Sequence, residues 1–305
     1  MTGPERKSVA LLTPSYGKDI ERFALLCDSI DRNVSGYERH YVLVRDSEVP
    51  LFSRFAGPRR IVLPSSHYLP SWLRLAPAVR LKHGRRVWWS FRAGLVHGWH
   101  IQQLLKCAAA SRLPQERYCI IDSDNAFFRP FDVGAYAGGA RTPLYVDRKA
   151  IASDAPLHAA WTRNCDRLLG HPETSFPADD YIGQDIIWDK STVRDMTGAI
   201  ERATGRPWTE ALCKTRAFSE YHLYGHFVRN SPAHLARHEL TGESIAVAYW
   251  DAAPLDAAAI RSLLDTAPRS KVALSVASFS GTPMSAIREA AGLSQRGGGA
   301  LAYAA

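Results

Sequence analysis

Two aspartates one residue apart, Asp122 and Asp124, stand where one apolar run (Tyr118-Cys119-Ile120-Ile121) stops and another (Ala126-Phe127-Phe128) begins. Carboxylates at that spacing repel each other and are costly to bring near an apolar core unless a cation lies between them. From a regular strand, side chains at i and i+2 leave on the same face, and where the strand bends into a loop both can converge on one ion. Hard oxygen ligands favour Mg2+ or Mn2+, which complete their shells with water and substrate phosphates. The expected chemistry is therefore metal-assisted departure of a nucleoside diphosphate, the ion serving as Lewis acid and template.

The elements that must position this pair follow from the hydrophobic pattern. "SVALLTP" predicts a strand stopped by Pro14, and "KDIERFALLCDSIDRN" a helix with Ile20, Phe23, Leu26, Cys27 and Ile30 on one face. "HYVLVRD" and "RRIVLP" predict a second and a third strand. Residues 66–92 are rich in Pro, Trp and Arg and predict an extended loop with a short helix. "GWHIQQLLKCAAASRL" predicts a helix with Ile101, Leu104, Leu105 and Ala108 inward and Gln102, Gln103 and Lys106 on or beside its other flank. The strand "YCII" then ends on the acidic pair. Short apolar strands separated by helix-length segments imply a mostly parallel α/β sheet flanked by helices, whose ligands collect beyond the carboxyl ends of the strands. Thr13 to Tyr16, Asp46 and Asp122 to Asp124 lie at such ends.

In the second half, "APLHAAWTRNCDRLL" and "PLDAAAIRSLLDTA" read as helical, "YIGQDIIWDKSTVRDMTGAIERATG" holds a helix or two, and "FSEYHLYGHFV" reads as a short helix with its N-cap at Ser219. "HLARHEL", "SIAVAYW" and "KVALSVAS" read as strands. One domain in two halves is expected, 1–145 for the nucleotide and 146–293 for the acceptor and catalysis, with 294–305 a disordered glycine-rich tail.

At 305 residues, with a net charge of +8, the chain can bury a sizeable core and should attract anions. The basic run from Arg80 to Arg92 interleaves Trp88, Trp89 and Phe91, a composition suited to a membrane face. Five scattered cysteines lack the paired spacing of a zinc site or a disulfide framework, and no stretch reads as a signal peptide or a spanning helix. A cytoplasmic protein is expected, with a peripheral contact at the inner membrane face.

"CIIDSDNAFFRPFD" resembles the Asp-x-Asp signature of GT-A-fold, nucleotide-sugar-dependent glycosyltransferases. "VALLTPSYGKDIERFALLCDSI" is similar to their first strand and helix, and "GWHIQQLLKCAAA" resembles the helix before the motif. "YIGQDIIWDKSTVRDM" and "FSEYHLYGHFV" look like segments of an uncharacterised bacterial glycosyltransferase-like group. The resemblance implies a GT-A, Rossmann-like sheet and a Mn2+ or Mg2+ cofactor. The donor it implies is a UDP- or GDP-sugar, and the acceptor a glycan or lipid-linked molecule, acidic in keeping with the basic chain, in surface polysaccharide synthesis. It implies Asp124 as direct metal ligand, with Asp122 on the ribose or a metal-bound water. Thr13, Ser15 and Tyr16 would lie around base and ribose, and Lys106, more weakly Gln103, near the diphosphate. A third metal ligand in this fold is commonly a histidine of the second half, here His238, with His226 or His222 as alternatives.

Inverting transfer needs a general base, usually a carboxylate facing the acceptor; Glu220 is the first candidate and Asp185 the second, with Trp188 as a stacking face for the acceptor. Retention of configuration would turn both carboxylates into binding groups. Two other readings compete. A sugar nucleotidyltransferase would carry a glycine-rich phosphate loop, whereas "TPSYGKD" has one glycine. A basic nucleic-acid-binding protein is suggested by the net charge and the Arg/Trp run, but with no zinc, helix-turn-helix or RNA-recognition signature no nucleic-acid partner is expected.

Overall fold

Each of the first three apolar runs becomes a strand that proline or a polar residue ends. The computed structural model describes the backbone of residues 6–81 and 85–293 and the side chains of all of these but 77–86. The tail 294–305 and the centre of the basic run, 82–84, lie outside the described residues.

In chain order the strands are β1 (Val9–Pro14), β2 (Val34–Ser35), β3 (Arg39–Val44), β4 (Arg60–Pro64), β5 (Arg74–Leu81), β6 (Arg85–Ser90), β7 (Gly94–His97), β8 (Arg117–Ile120) and β9 (Asn125–Phe127). They continue with β10 (Phe131–Asp132), β11 (Thr142–Tyr145), β12 (Asp147–Ile151), β13 (Ala178–Asp180), β14 (Ile186–Asp189), β15 (His238–Thr241), β16 (Ala246–Tyr249) and β17 (Ala273–Val276). The helices are α1 (Ile20–Asn33), α2 (Val49–Phe52), α3 (Gly98–Arg112), α4 (Val133–Ala137), α5 (Pro156–Leu169) and α6 (Lys190–Thr204). After them come α7 (Trp208–Lys214), α8 (Glu220–Arg229), α9 (Pro232–Leu235), α10 (Ala257–Thr266) and α11 (Met284–Ala290).

A five-stranded sheet in the order β14-β8-β1-β3-β4 forms the centre. β8, β1, β3 and β4 run parallel, and β14 closes one edge antiparallel to β8. Strand residues of β1 and β8 are buried from end to end, as a sheet covered on both faces requires. One face packs against α1 through Phe23, Leu26, Cys27 and Ile30; the other packs against α3, α6 and α8, with Leu104, Leu105, Met196 and Tyr224 in the core. Burying such side chains contributes roughly 1.5–3 kcal/mol each. A second sheet, β16-β17-β9, carries α10 and α11 on its own apolar cluster. The whole is a mixed α/β single domain, with strands of the second half in both sheets.

Three expectations change. Residues 66–92 are not an open loop: β5, β6 and β7 make an antiparallel meander, because Val87 and Val96 are buried and Trp88, opposite Val96, packs partly buried against the core, while Trp89 and Phe91 turn outward. "YIGQDIIWDKSTVRDMTGAIERATG" holds a helix, α6, but the residues ahead of it make a strand: Ile186–Asp189 is the edge strand β14, and Asp189 then caps α6 by accepting from the Thr192 amide. "HLARHEL" divides into the end of α9 and the start of β15.

Candidate functional site

β8 ends at Ile120, and the chain at once makes a tight turn. The carbonyl of Asp122 accepts the backbone amide of Asn125 at 3.2 Å and its side-chain amide at 3.1 Å. Aspartate is favoured in the first position of such four-residue turns. Beyond the turn the chain leaves the central sheet and pairs as β9 with β17. Asp122 and Asp124 therefore project from the turn between two sheets, not from one face of a strand.

The antiparallel edge strand supplies a third carboxylate. Because Ile186 is in register with Ile120, the residue before β14, Asp185, lies beside the carboxyl end of β8. Asp185 is buried, sits at a left-handed φ of 56°, and finds no hydrogen-bond partner for either carboxylate oxygen among the described residues. Left-handed backbone outside glycine is uncommon and best tolerated by Asn and Asp. Burial, and then the charges of Asp122 and Asp124, push the Asp185 carboxyl well above the usual range. Asp124 is pushed up to about 7 by burial and by Asp122. Asp19, which precedes α1, is raised chiefly by burial; Ser123 donates to it at 3.4 Å. Four aspartates thus converge where two bare carboxylates would already repel.

Lys106 enters from α3. Its Nζ lies 2.7 Å from Asp122 Oδ1, 2.8 Å from Glu220 Oε1 and 3.0 Å from the Tyr221 hydroxyl. Tyr221 in turn donates to Asp122 Oδ2 at 3.3 Å. Burial works against the ammonium, but Asp122 and Glu220 more than offset it and hold Lys106 well above the usual lysine value. Gln103, one turn earlier on α3, accepts the amide of Glu220 at 3.0 Å and so satisfies the first turn of α8, where the Ser219 side chain makes no capping bond. Helices α3 and α8 are joined under the acidic turn by a paired lysine and a glutamine.

The structure brings together Gln103, Lys106, Asp122, Asp124, Asp185 and Glu220 from the expected set. Lys106 is committed to two carboxylates instead of facing a diphosphate as a free charge. Glu220 and Asp185 are each only 3 % exposed: Glu220 is paired with Lys106, and Asp185 faces the charges of Asp122 and Asp124. Thr13 is buried and bonded to His40 at 3.0 Å; the Arg60 guanidinium donates to the other nitrogen of that imidazole. Ser15 is buried, its hydroxyl without a partner among the described residues, and Tyr16 stands at the surface beside it.

Two expected residues lie elsewhere. His238 is buried with Nε2 2.8 Å from the Tyr224 hydroxyl and Nδ1 2.7 Å from the His234 carbonyl. That same tyrosine accepts the amide of Asp189, which is in register with Arg117 at the start of β8. His238 thus sits at the end of the sheet opposite Asp122, roughly 13 Å along a four-residue strand. Trp188 is fully buried and stacked on Tyr224 at 5.5 Å, a core residue without a face for an acceptor. His222 and His226 point from α8 toward α5, bonded to Thr162 and Asp166. Asp19, Asn125 and Tyr221 were not singled out by sequence. Asp19 had a signal, its place just past the end of β1; Tyr221 had none.

A family profile matches residues 8–254, most of the chain. The chain belongs to DUF6492, a family of unknown function. The matched span includes the acidic turn, Lys106, Asp185 and α8, and ends before α10, β17 and α11. No curated protein matches the chain.

Proposed function

We propose that the protein is a metal-dependent glycosyltransferase that takes its sugar from a nucleoside-diphosphate donor. The observation that carries the reading is the buried, unpartnered carboxylate of Asp185 beside Asp122 and Asp124 at the carboxyl end of β8. Three carboxyl groups whose charges act on one another around this turn and the start of β14 suit a hard divalent cation such as Mn2+ or Mg2+, with Asp124 and Asp185 as its protein ligands and Asp122 beside them. When bound, the ion would neutralise the departing diphosphate.

The remaining residues do work of position. Lys106 and Tyr221 fix both oxygens of Asp122, and Glu220 balances the lysine. Ser15 and Tyr16, one parallel strand away, flank the space a ribose and base would take. A parallel sheet with its ligand groups beyond the strand ends is the arrangement in which α/β proteins bind nucleotides. The family resemblance of the motif, and the GT-A sheet it implies, agree with this placement. For the acceptor, a glycan or a lipid-linked molecule, Trp89, Phe91 and Leu95 form an exposed apolar patch on the meander, suited to the lipid-linked kind and to a membrane surface. No helix among the described residues is long and apolar enough to cross a membrane.

The test is a thermal-shift panel of UDP- and GDP-sugars with Mn2+ or chelator on wild type and Asp124→Asn. A ligand held only by the native state raises the midpoint. A donor that binds equally in chelator, or equally to the variant, would remove the metal from the reading; no shift with any nucleotide sugar would remove the donor class.

A further inference from the structure

A second cluster of ligating side chains lies on the far part of α8, away from the acidic turn. Asp166 in the last turn of α5, His171 just beyond it and His226 on α8 each present one ligand atom, all within 4.8 Å of one another. Three independent features bring them together. Gly170 takes a left-handed φ of 68° and turns the chain back on α5, so that the His171 amide returns to the Asp166 carbonyl at 2.9 Å. Thr174 donates its amide to Asp166 Oδ2 at 2.8 Å and its hydroxyl to Oδ1 at 2.9 Å, which fixes the carboxylate. His226, two turns along α8 from Glu220, reaches the same oxygen with Nε2 at 2.7 Å.

His171 is the member that asks for a partner. Its Nδ1 is buried and bonded to nothing among the described residues. The neighbouring imidazoles face other groups: His222 has Nε2 3.1 Å from Thr162, and its buried Nδ1, without a hydrogen bond among the described residues, lies 3.6 Å from the Asp180 carboxylate, while His158 has Nδ1 2.7 Å from Asp180.

We propose that Asp166, His171 and His226 bind a divalent transition-metal ion of the Zn2+ class that clamps the end of α5 to α8. Two imidazoles and a carboxylate are a borderline ligand set, distinct from the all-oxygen set at the acidic turn, and leave a fourth position for water. Ligand atoms around tetrahedral Zn2+ lie roughly 3.3 Å apart, so Asp166 and His226 must part by about 0.6 Å as the ion replaces their hydrogen bond. The two Thr174 bonds supply the outer support that orients a ligating carboxylate. The ion would tie together the helix whose first turn pairs with Lys106, and the proposal stands whether or not the acidic turn serves glycosyl transfer.

The full chain, stripped with chelator, is titrated with Zn2+ alone and, as an optical probe, with Co2+. One ion per chain is expected at this cluster, with the visible absorption of low-symmetry Co2+. His171→Ala should weaken it at least about tenfold. Partly exposed His171 can be removed with the metal-free urea midpoint near that of wild type, which separates lost ligation from lost folding. Asp124→Asn should keep the zinc. Equal zinc affinity in wild type and His171→Ala, or loss of the zinc in Asp124→Asn, overturns the proposal.

Discussion

Replacing Asp124 with asparagine should make the metal-free protein more stable and the metal response vanish. The carboxyl rises from 3.8 to about 7 on folding, roughly three units at about 1.4 kcal/mol each, or about 4 kcal/mol at the ceiling. Partial exposure of the side chain trims this to roughly 2–4 kcal/mol. The sign follows from linkage. A group whose folded value is raised binds its proton more tightly in the native state, so its contribution is fully present below about pH 4 and is lost as pH climbs to about 7. In chelator, wild type minus Asp124→Asn should therefore decline across that window and settle below zero at neutral pH. Carboxyls remote from the turn cancel in the difference, while Asp185, which the Asp124 charge raises, relaxes in the variant and adds to it in the same direction.

Mn2+ reverses the order. At a hundred times its dissociation constant a bound ion adds about 2.7 kcal/mol to wild type. The variant should gain little, since it has lost one of the two anionic oxygens proposed as ligands. Urea denaturation at a series of pH values, in chelator and in Mn2+, reads both effects on the same scale. The reasoning fails if the difference between wild type and variant is flat with pH in chelator, because Asp124 would then not be under the repulsion of Asp122 and its burial. It fails equally if Mn2+ stabilises both proteins alike.

Two further substitutions test the support of the site. Lys106→Met leaves Glu220 buried without its counter-ion and should cost about 3–5 kcal/mol, a large part of which returns in the Lys106→Met/Glu220→Gln double variant; a loss under about 1 kcal/mol, as for a surface lysine, would contradict the buried pairing. His238→Ala should lower stability by about 1–3 kcal/mol, through the lost bond between the imidazole and the buried Tyr224 hydroxyl and the lost packing, while the Mn2+ midpoint shift stays unchanged; a lost Mn2+ response would return this histidine to the metal.

The legible part of the site was the part written in neighbouring residues. Asp122 and Asp124 announce themselves by interrupting an apolar run, and β1, α1, β3, β4, α3 and β8 follow from periodicity alone. Asp185 could be named as a carboxylate but not placed, because "GQDIIWDK" runs into the strong helical pattern of α6 and the four-residue strand before it has no periodicity of its own. Its antiparallel pairing with β8, a tertiary fact, is what sets it beside the acidic turn. Lys106 illustrates the opposite failure. By helical spacing it falls beside the polar flank of α3, yet that flank faces α8, and a buried lysine becomes tolerable only through Asp122 and Glu220, neither of which is local to it. His238 and Trp188 were assigned by position in the second half, and the core claimed both.

The stretch beyond the family match is part of this arrangement. β17 is the middle strand of the second sheet: it pairs with β16 on one side and with β9, the strand that leaves the acidic turn, on the other. The Val276 amide donates to the carbonyl of Asp124 at 3.3 Å. Arg22, whose charge works against the rise of the Asp124 carboxyl, donates from α1 to the carbonyls of Val276 and Ser278. Ala126 of β9 packs with Leu274, Val276, Ile260 and Ile287, all four from beyond the matched span. Without that segment β9, an edge strand paired in its sheet with β17, would lose that partner and expose its buried face, and the turn it anchors would lose the fixed backbone that holds two repelling carboxylates in place. The geometry of a motif inside the matched residues is therefore maintained by a segment outside them.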